Sequence, residues 1–440
     1  MKSICHERGW RRVVTTGLKS EVQTGAWTGA RTGARTGART GVRPNLWRAG
    51  LLTGLITITF IGCFAAAPSH AQRQPAPLLD FSGDEVRRIL AHGPWPPAAQ
   101  LDPGNAYAGQ PQAITLGRQL FFDRRLSPDS RLACASCHLP QRAFSDGRAK
   151  SLGRGPLDRN APSLLNAQFA RWYGWDGAAD SLWAQALRPL LDAREMASSG
   201  QQLQGLIHGD KNYAADWAAV FGGPPESAEH ALVQVAKAIA AYVGTLRSRR
   251  TAFDNFRDAL ARQDLRAAAH YPLSAQRGLR LFIGRARCAT CHVGPHFSNG
   301  EFADIGLPFF IRPGVVDPGR HAGINALLAS PYNLLGRWST AAAEDDATLK
   351  TRHVMAQARN FGEFKVPPLR NVARTAPYMH DGQLATLQAV VQHYDQIPLT
   401  RLHADGERIL APLLLTAQER ADLLAFLRSL DELPAPKQRL

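Results

Sequence analysis

Apolar residues at Leu232, Val235, Ile239, Tyr242, Val243 and Leu246 recur at the three- and four-residue spacing of one helical face, which predicts an amphipathic helix packed into a core. Near the C-terminus, Thr416 and Glu419 form a capping-box pattern ahead of Leu423, Leu424, Leu427 and Leu430, and predict a last helix ended by Pro434 and Pro436. A further helix is expected between Tyr271-Pro272 and Cys288, and the apolar stretch Phe121 to Leu126 leads into Cys134. Ile311 to Arg352 mixes Gly, Ala and charge without a period and reads as a surface insertion. The patterned region divides at about residue 268, into a domain spanning 72–268, entered through the proline-rich Pro94 to Pro97, and a second spanning 269–440.

The first 71 residues differ in kind. Thr28 to Gly41 repeats Arg-Thr-Gly-Ala with variations and has no hydrophobic period, so no folded element is expected there. Leu51 to Ala67 is an apolar run preceded by Arg43 and Arg48 and followed by Ser69-His70-Ala71, the pattern of a cleaved export signal with a long preface. An uncleaved N-terminal membrane attachment, or lipid modification at Cys63, fits the same run. This segment carries ten Lys/Arg against two Asp/Glu, half of the formal net charge of +16. The basic excess that remains suits steering of an acidic protein partner, and nothing in it calls for nucleic acid.

Beyond Cys5 and Cys63, the cysteines fall in two copies of one pentapeptide, Cys134-Ala-Ser-Cys137-His138 and Cys288-Ala-Thr-Cys291-His292. Two thiols three positions apart can add to the two vinyl groups of a haem, while the adjacent histidine supplies an imidazole to the iron. A four-cysteine zinc site would leave both histidines unexplained. The chain is therefore read as a redox protein with two covalently attached c-type haems, cofactors normally attached outside the bacterial cytoplasm, which points to the periplasm.

Around these motifs the chain resembles the bacterial di-haem cytochrome c peroxidase and MauG family over roughly residues 113 to 430. The likeness is carried by Leu116-Gly-Arg-Gln-Leu-Phe-Phe-Asp, Phe144-Ser-Asp-Gly, Arg159-Asn-Ala-Pro-Ser, Trp175-Asp-Gly, Phe364-Lys-Val-Pro-Pro-Leu-Arg-Asn and Thr375-Ala-Pro-Tyr-Met-His-Asp-Gly. The resemblance implies a mainly α fold of two cytochrome c-like helical domains, a peroxide-reactive haem in the first and an electron-relay haem in the second. Its substrates would be hydrogen peroxide together with an electron-donor protein or an oxidisable protein partner.

The same resemblance carries roles to particular residues. Gln185, Pro189 and Glu195 map to the open face of the first haem, where a carboxyl can shuttle the peroxide proton and an amide can orient an oxygen. Trp175 maps to a bridging tryptophan between the haems. Asn160, Thr375 and Pro377 map to an inter-haem calcium site built from oxygen donors. Classical members place a blocking histidine after the first motif, but Pro140 to Gly174 contains none, which favours an accessible first iron. Where peroxidases commonly place a methionine on the second iron, this chain has Tyr394, the MauG-like pattern; Met379 and His393 stand as alternative ligands. Taken without the resemblance, Glu195 is a surface or capping charge, Tyr394 and Trp175 are core aromatics, and the two motifs also suit a non-enzymatic electron carrier.

Overall fold

The computed structural model describes residues 77–307, 310–397 and 409–434; the expected export signal lies outside them. The fold is mainly helical: 44% of the described residues are in helical turns, counting 14 α-helices and the short 3-10 turns between them. In chain order, α1 (Gly83–Leu90), α2 (Pro111–Phe122) and the one-turn α3 (Cys134–Cys137) lead to α4 (Leu182–Leu191), α5 (Gly200–Gly209), α6 (Lys211–Phe221) and α7 (Ala228–Val243). Then come α8 (Ala252–Ala261), the short α9 (Leu265–Ala268), α10 (Leu273–Ile283), α11 (Arg320–Ala329), α12 (Asp346–His353), α13 (Leu387–Asp395) and α14 (Ala417–Arg428). Four short strands form two antiparallel ladders, β1 (Phe302–Ala303) with β4 (Phe364–Lys365), and β2 (Phe310–Arg312) with β3 (Val315–Val316).

Two apolar cores organise these elements. The first is built on α2, α4, α5 and α7 around Leu120, Phe121, Trp183, Leu187, Leu203 and Ile239. The second gathers α8, α10, α13 and α14 around Phe253, Phe256, Phe282, Phe297 and Phe426. Ile89 of α1 and the phenylalanines of α8 join the second core. The chain thus passes from one core to the other in the segment between α7 and α8, ahead of residue 268.

The expected helices form, with two differences. The helix read as amphipathic, α7, is buried on every side from Ala231 to Val243, because α2, α4 and α5 all pack on it. The last helix, α14, has the Thr416–Glu419 capping box but stops at Arg428, where Ser429 caps it, so Pro434 lies beyond its end. The supposed surface insertion is structural instead. It contains β2, β3, α11 and α12, and it buries Asp317, Arg320, Ile324, Leu327, Thr348 and Thr351.

The two cores are variations on one design. A glycine on each motif-preceding helix lets it press on a second helix. A Cβ at Gly117 would sit 1.8 Å from the Ala238 carbonyl oxygen, and one at Gly278 would sit 2.0 Å from that of Asp422. After each motif comes a left-handed phenylalanine, Phe144 or Phe297, then a left-handed asparagine, Asn166 or Asn371. A tyrosine bridge follows, Tyr173 to Ala179 or Tyr378 to Leu384. Each series ends in a helix capped by a hydroxyl, Ser181 for α4 and Thr386 for α13. One offset in numbering relates Asn160 to Lys365, Trp175 to His380 and Pro189 to Tyr394. The two copies clasp each other: Asn160 N–H donates to the His380 carbonyl and Lys365 N–H to the Trp175 carbonyl, each at 2.8 Å.

Candidate active site

A single cavity of about 1210 Å³ runs along both motifs. It exceeds the usual volume of a pocket for one small ligand, about 300–1,000 Å³. Cys134, Cys137 and His138 line one part of it, Cys288, Cys291 and His292 another, and Trp175 also faces it. All four motif cysteines are free thiols, so none is consumed in a disulfide.

The two histidines are prepared in the same way. His138 Nδ1 bonds the Phe144 carbonyl at 3.0 Å, and His292 Nδ1 bonds the Phe297 carbonyl at 2.9 Å. In each case the left-handed phenylalanine turns its carbonyl back toward the ring. A carbonyl can only accept, so Nδ1 carries the proton and Nε2 keeps its lone pair for a metal. Burial also lowers the pKa of both rings, holding them in the neutral form that ligates. The second loop is further fixed by Arg370, which donates to the Pro295 carbonyl at 2.6 Å and pairs with the buried Asp254 of α8 at 2.8 Å.

Gln185 and Pro189 lie one turn apart on α4 and line the cavity together with Glu195. The turn after α4 returns Glu195 to that wall: Glu195 N–H bonds the Asp192 carbonyl at 3.0 Å and Met196 N–H bonds the Pro189 carbonyl at 3.1 Å. Gly155 N–H and Arg154 N–H then tie this turn to the segment after the first motif, at 2.9 Å and 3.2 Å. Burial raises the Glu195 pKa, Asp192 adds to the rise, and Arg188 and Arg194 oppose it. Its charge is felt at both Cys134 and Cys137. Gln185 Oε1 is buried with no protein partner, a polar atom fitted to a group inside the cavity.

Tyr394 on α13 lines the other part of the cavity and feels the charges of Cys288 and Cys291, with burial driving its phenol pKa upward. Met379 lines the cavity as well, whereas His393 turns its Nε2 to the Ile305 carbonyl at 2.8 Å. Because Tyr394 and Pro189 are equivalent in the repeated design, the same helical position carries a phenol in one copy and no donor in the other.

Trp175 is held between the two copies by its indole N–H, which donates to the Asn160 carbonyl at 2.9 Å. Asp176, next to it, is gripped by Arg159 at 2.7 Å and Arg188 at 3.2 Å, and its pKa falls to about 2 despite burial. Arg159 also pairs with Asp317 at 2.6 Å, and the buried Arg320 donates to the Gly177 carbonyl at 2.8 Å. The 311–352 segment therefore clamps the Trp175 turn, a role that its aperiodic sequence concealed. Sequence reasoning also missed His380, the counterpart of Trp175, which is stacked on Phe364 with ring centroids 3.5 Å apart.

Asn160, Thr375 and Pro377 all line the cavity. Asn160 Nδ2 donates to the Arg148 carbonyl at 2.6 Å, leaving its amide oxygen to accept or ligate. Thr375 Oγ1 donates to the Val372 carbonyl at 3.2 Å. Among the described residues no group of three or more His, Cys, Asp or Glu side chains forms a metal site, so a cation here would rely on neutral oxygens.

The two half-buried Cys-x-x-Cys-His motifs thus open on one cavity. A family profile described as di-haem cytochrome c peroxidase matches residues 111–261. The methylamine utilization protein MauG of Methylorubrum extorquens is 35% identical over 328 residues, 74% of this chain and 80% of that protein. The cytochrome-c peroxidase IdrP2 of Pseudomonas sp. is 33% identical over 348 residues, 78% of this chain and 85% of that protein. Among solved structures, a MauG-like protein associated with microbial copper homeostasis superposes with a TM-score of 0.56 at 28% identity, covering 77% of this chain and 96% of that one. The diheme peroxidase BthA of Burkholderia thailandensis shares the fold at 22% identity, with a TM-score of 0.57 over 76% of this chain and 92% of that one.

The chain belongs to the di-haem cytochrome c peroxidase and MauG family. It is a peroxidase-type oxidoreductase.

Proposed function

We propose that this enzyme, exported to the periplasm, holds two covalently attached haems and reduces hydrogen peroxide at the first while Tyr394 closes the second, in a MauG-like oxidation of aromatic side chains on a partner protein. The observation that carries the reading is the contrast between equivalent positions: Pro189 offers no ligand where the other copy presents Tyr394. When bound, the haems supply the iron centres that exchange electrons with peroxide and with each other.

The residues then divide the remaining work. His138 and His292 would each hold an iron through Nε2, with each tautomer set by the phenylalanine carbonyl. Gln185 orients the bound oxygen by hydrogen bonding. Glu195 accepts the proton of the near oxygen and returns it to the departing one, so that two electrons and two protons take peroxide to two waters. Trp175, wedged between the copies, divides electron transfer into shorter steps. Asn160, Thr375 and Pro377 would offer oxygens to a calcium ion in the same cavity. A small redox protein as electron donor, the cytochrome c peroxidase reading, uses the same path without requiring Tyr394.

Stoichiometric hydrogen peroxide added to the ferric holoprotein is expected to change the spectra of both haems, and a supplied donor protein is expected to return them while becoming oxidised. Mass spectrometry of that donor distinguishes a modified aromatic side chain from simple electron loss. Two fully loaded haems that peroxide leaves unchanged would contradict the reading and favour an electron carrier.

A further inference from the structure

Lys365 is a charged residue of the cavity wall to which the proposed chemistry gives no task. It stands on β4, where its N–H donates to the Trp175 carbonyl at 2.8 Å, and its ammonium reaches the Trp172 carbonyl at 3.4 Å. Both ends of the residue are thus fastened along the Trp172–Trp175 segment. Among the described residues no carboxylate pairs with its Nζ. Asp176, whose charge it feels, is already shared by Arg159 and Arg188.

Among the described residues Asp176 is the anion whose charge reaches Lys365, and the neighbouring groups are engaged elsewhere. Arg320 of α11 spends its guanidinium on the Asp176 and Gly177 carbonyls and lies 4.2 Å from the Trp172 ring centroid. Lys350 of α12 also lies 4.2 Å from that centroid and donates to the Arg171 carbonyl. Glu301, beside β1, pairs with Arg171 at 2.6 Å. Burial pulls the Lys365 pKa down to about 8, as expected of an ammonium removed from water with one long carbonyl contact in return. A desolvated cation in this state is strongly favoured by an incoming carboxylate, and the space that Lys365 faces is the cavity.

The repeated design locates the missing partner. The equivalent of Lys365 is Asn160, the neutral amide for which a calcium ion is proposed above. One copy would recruit a cation at this position, and the other carries a fixed positive charge there. Two residues after Lys365, the Pro367 carbonyl lies against the His292 ring. We propose that Lys365 is a binding residue for a carboxylate of the second cofactor, a porphyrin propionate, which it pairs with on the wall between His292 and Trp175. The proposal rests on the reading that the second motif carries haem.

Lys365→Met and Lys365→Arg holoproteins, matched to the parent in haem content, test it by potentiometric titration of the second haem from acid to neutral pH. Resonance Raman of the propionate bending mode supplies an independent readout. Removing the ammonium leaves the ferric charge better stabilised by an unpaired carboxylate, so Lys365→Met lowers the midpoint potential at neutral pH. Without its ammonium partner the propionate ionises at higher pH, so the bend it puts in the potential-against-pH curve moves upward in Lys365→Met, and the propionate band shifts. Lys365→Arg restores the parent behaviour. A Lys365→Met potential equal to the parent's at every pH, with an unmoved band, overturns the proposal alone. A parent chain carrying only one haem overturns the di-haem reading and the proposal with it.

Discussion

Replacing Tyr394 with methionine is expected to raise the midpoint potential of the second haem by on the order of 0.2 V, about a quarter of the span that axial ligands cover. A phenolate oxygen stabilises ferric iron through its negative charge, and a neutral thioether does not. In the protein alone, burial and the neighbouring Cys288 and Cys291 hold the Tyr394 phenol in its neutral form. Ligation to ferric iron must displace that proton, and the anion so formed sets the potential. The variant keeps electron transfer but stores oxidising equivalents less well, so oxidation of a partner side chain falls more steeply than turnover of a small electron donor. Redox titration with resonance Raman reads potential and ligand together. An unchanged ligand signature would remove Tyr394 from the coordination sphere and make Met379 the candidate, since His393 Nε2 is engaged by the Ile305 carbonyl.

Glu195→Gln is expected to retain both haems and to slow productive peroxide cleavage by about 100-fold, the scale of a lost proton shuttle. The amide preserves size and hydrogen bonding but can neither take the peroxide proton nor return it. The pH dependence sharpens the assignment. Burial raises the Glu195 pKa, so its proton-accepting form disappears as pH falls through a limb displaced above the ordinary carboxylate range. The parent rate should fall along that limb, and the variant should lose it. Stopped-flow measurements at matched haem content make the comparison; a variant with the parent rate and the parent limb would strip Glu195 of its acid–base role.

The parts of this molecule visible in the sequence are those in which chemistry demands fixed residues at fixed spacing. The two pentapeptides are legible because thiols and imidazole have no substitutes there, and α14 is legible because its capping box is local. The duplication was not. Its anchors are backbone features, the left-handed Phe144 and Phe297, the crossing glycines Gly117 and Gly278, and the paired amides of Asn160 and Lys365, and none of them needs similar side chains around it. Lys365 and His380 gain meaning only when set against Asn160 and Trp175. The clamp from the 311–352 segment was hidden for another reason: Arg159, Asp176, Asp317 and Arg320 are far apart in sequence, and only the fold discloses that they neutralise one another.

Electron paramagnetic resonance of the ferric holoprotein, with haem counted chemically, tests the central claim most directly, because the claim is an asymmetry between two similar sites. The account predicts two haems per chain, one high-spin with the Glu195 side open and one low-spin with histidine and tyrosinate ligands. Two low-spin signals of equal weight would show both irons closed and would contradict it.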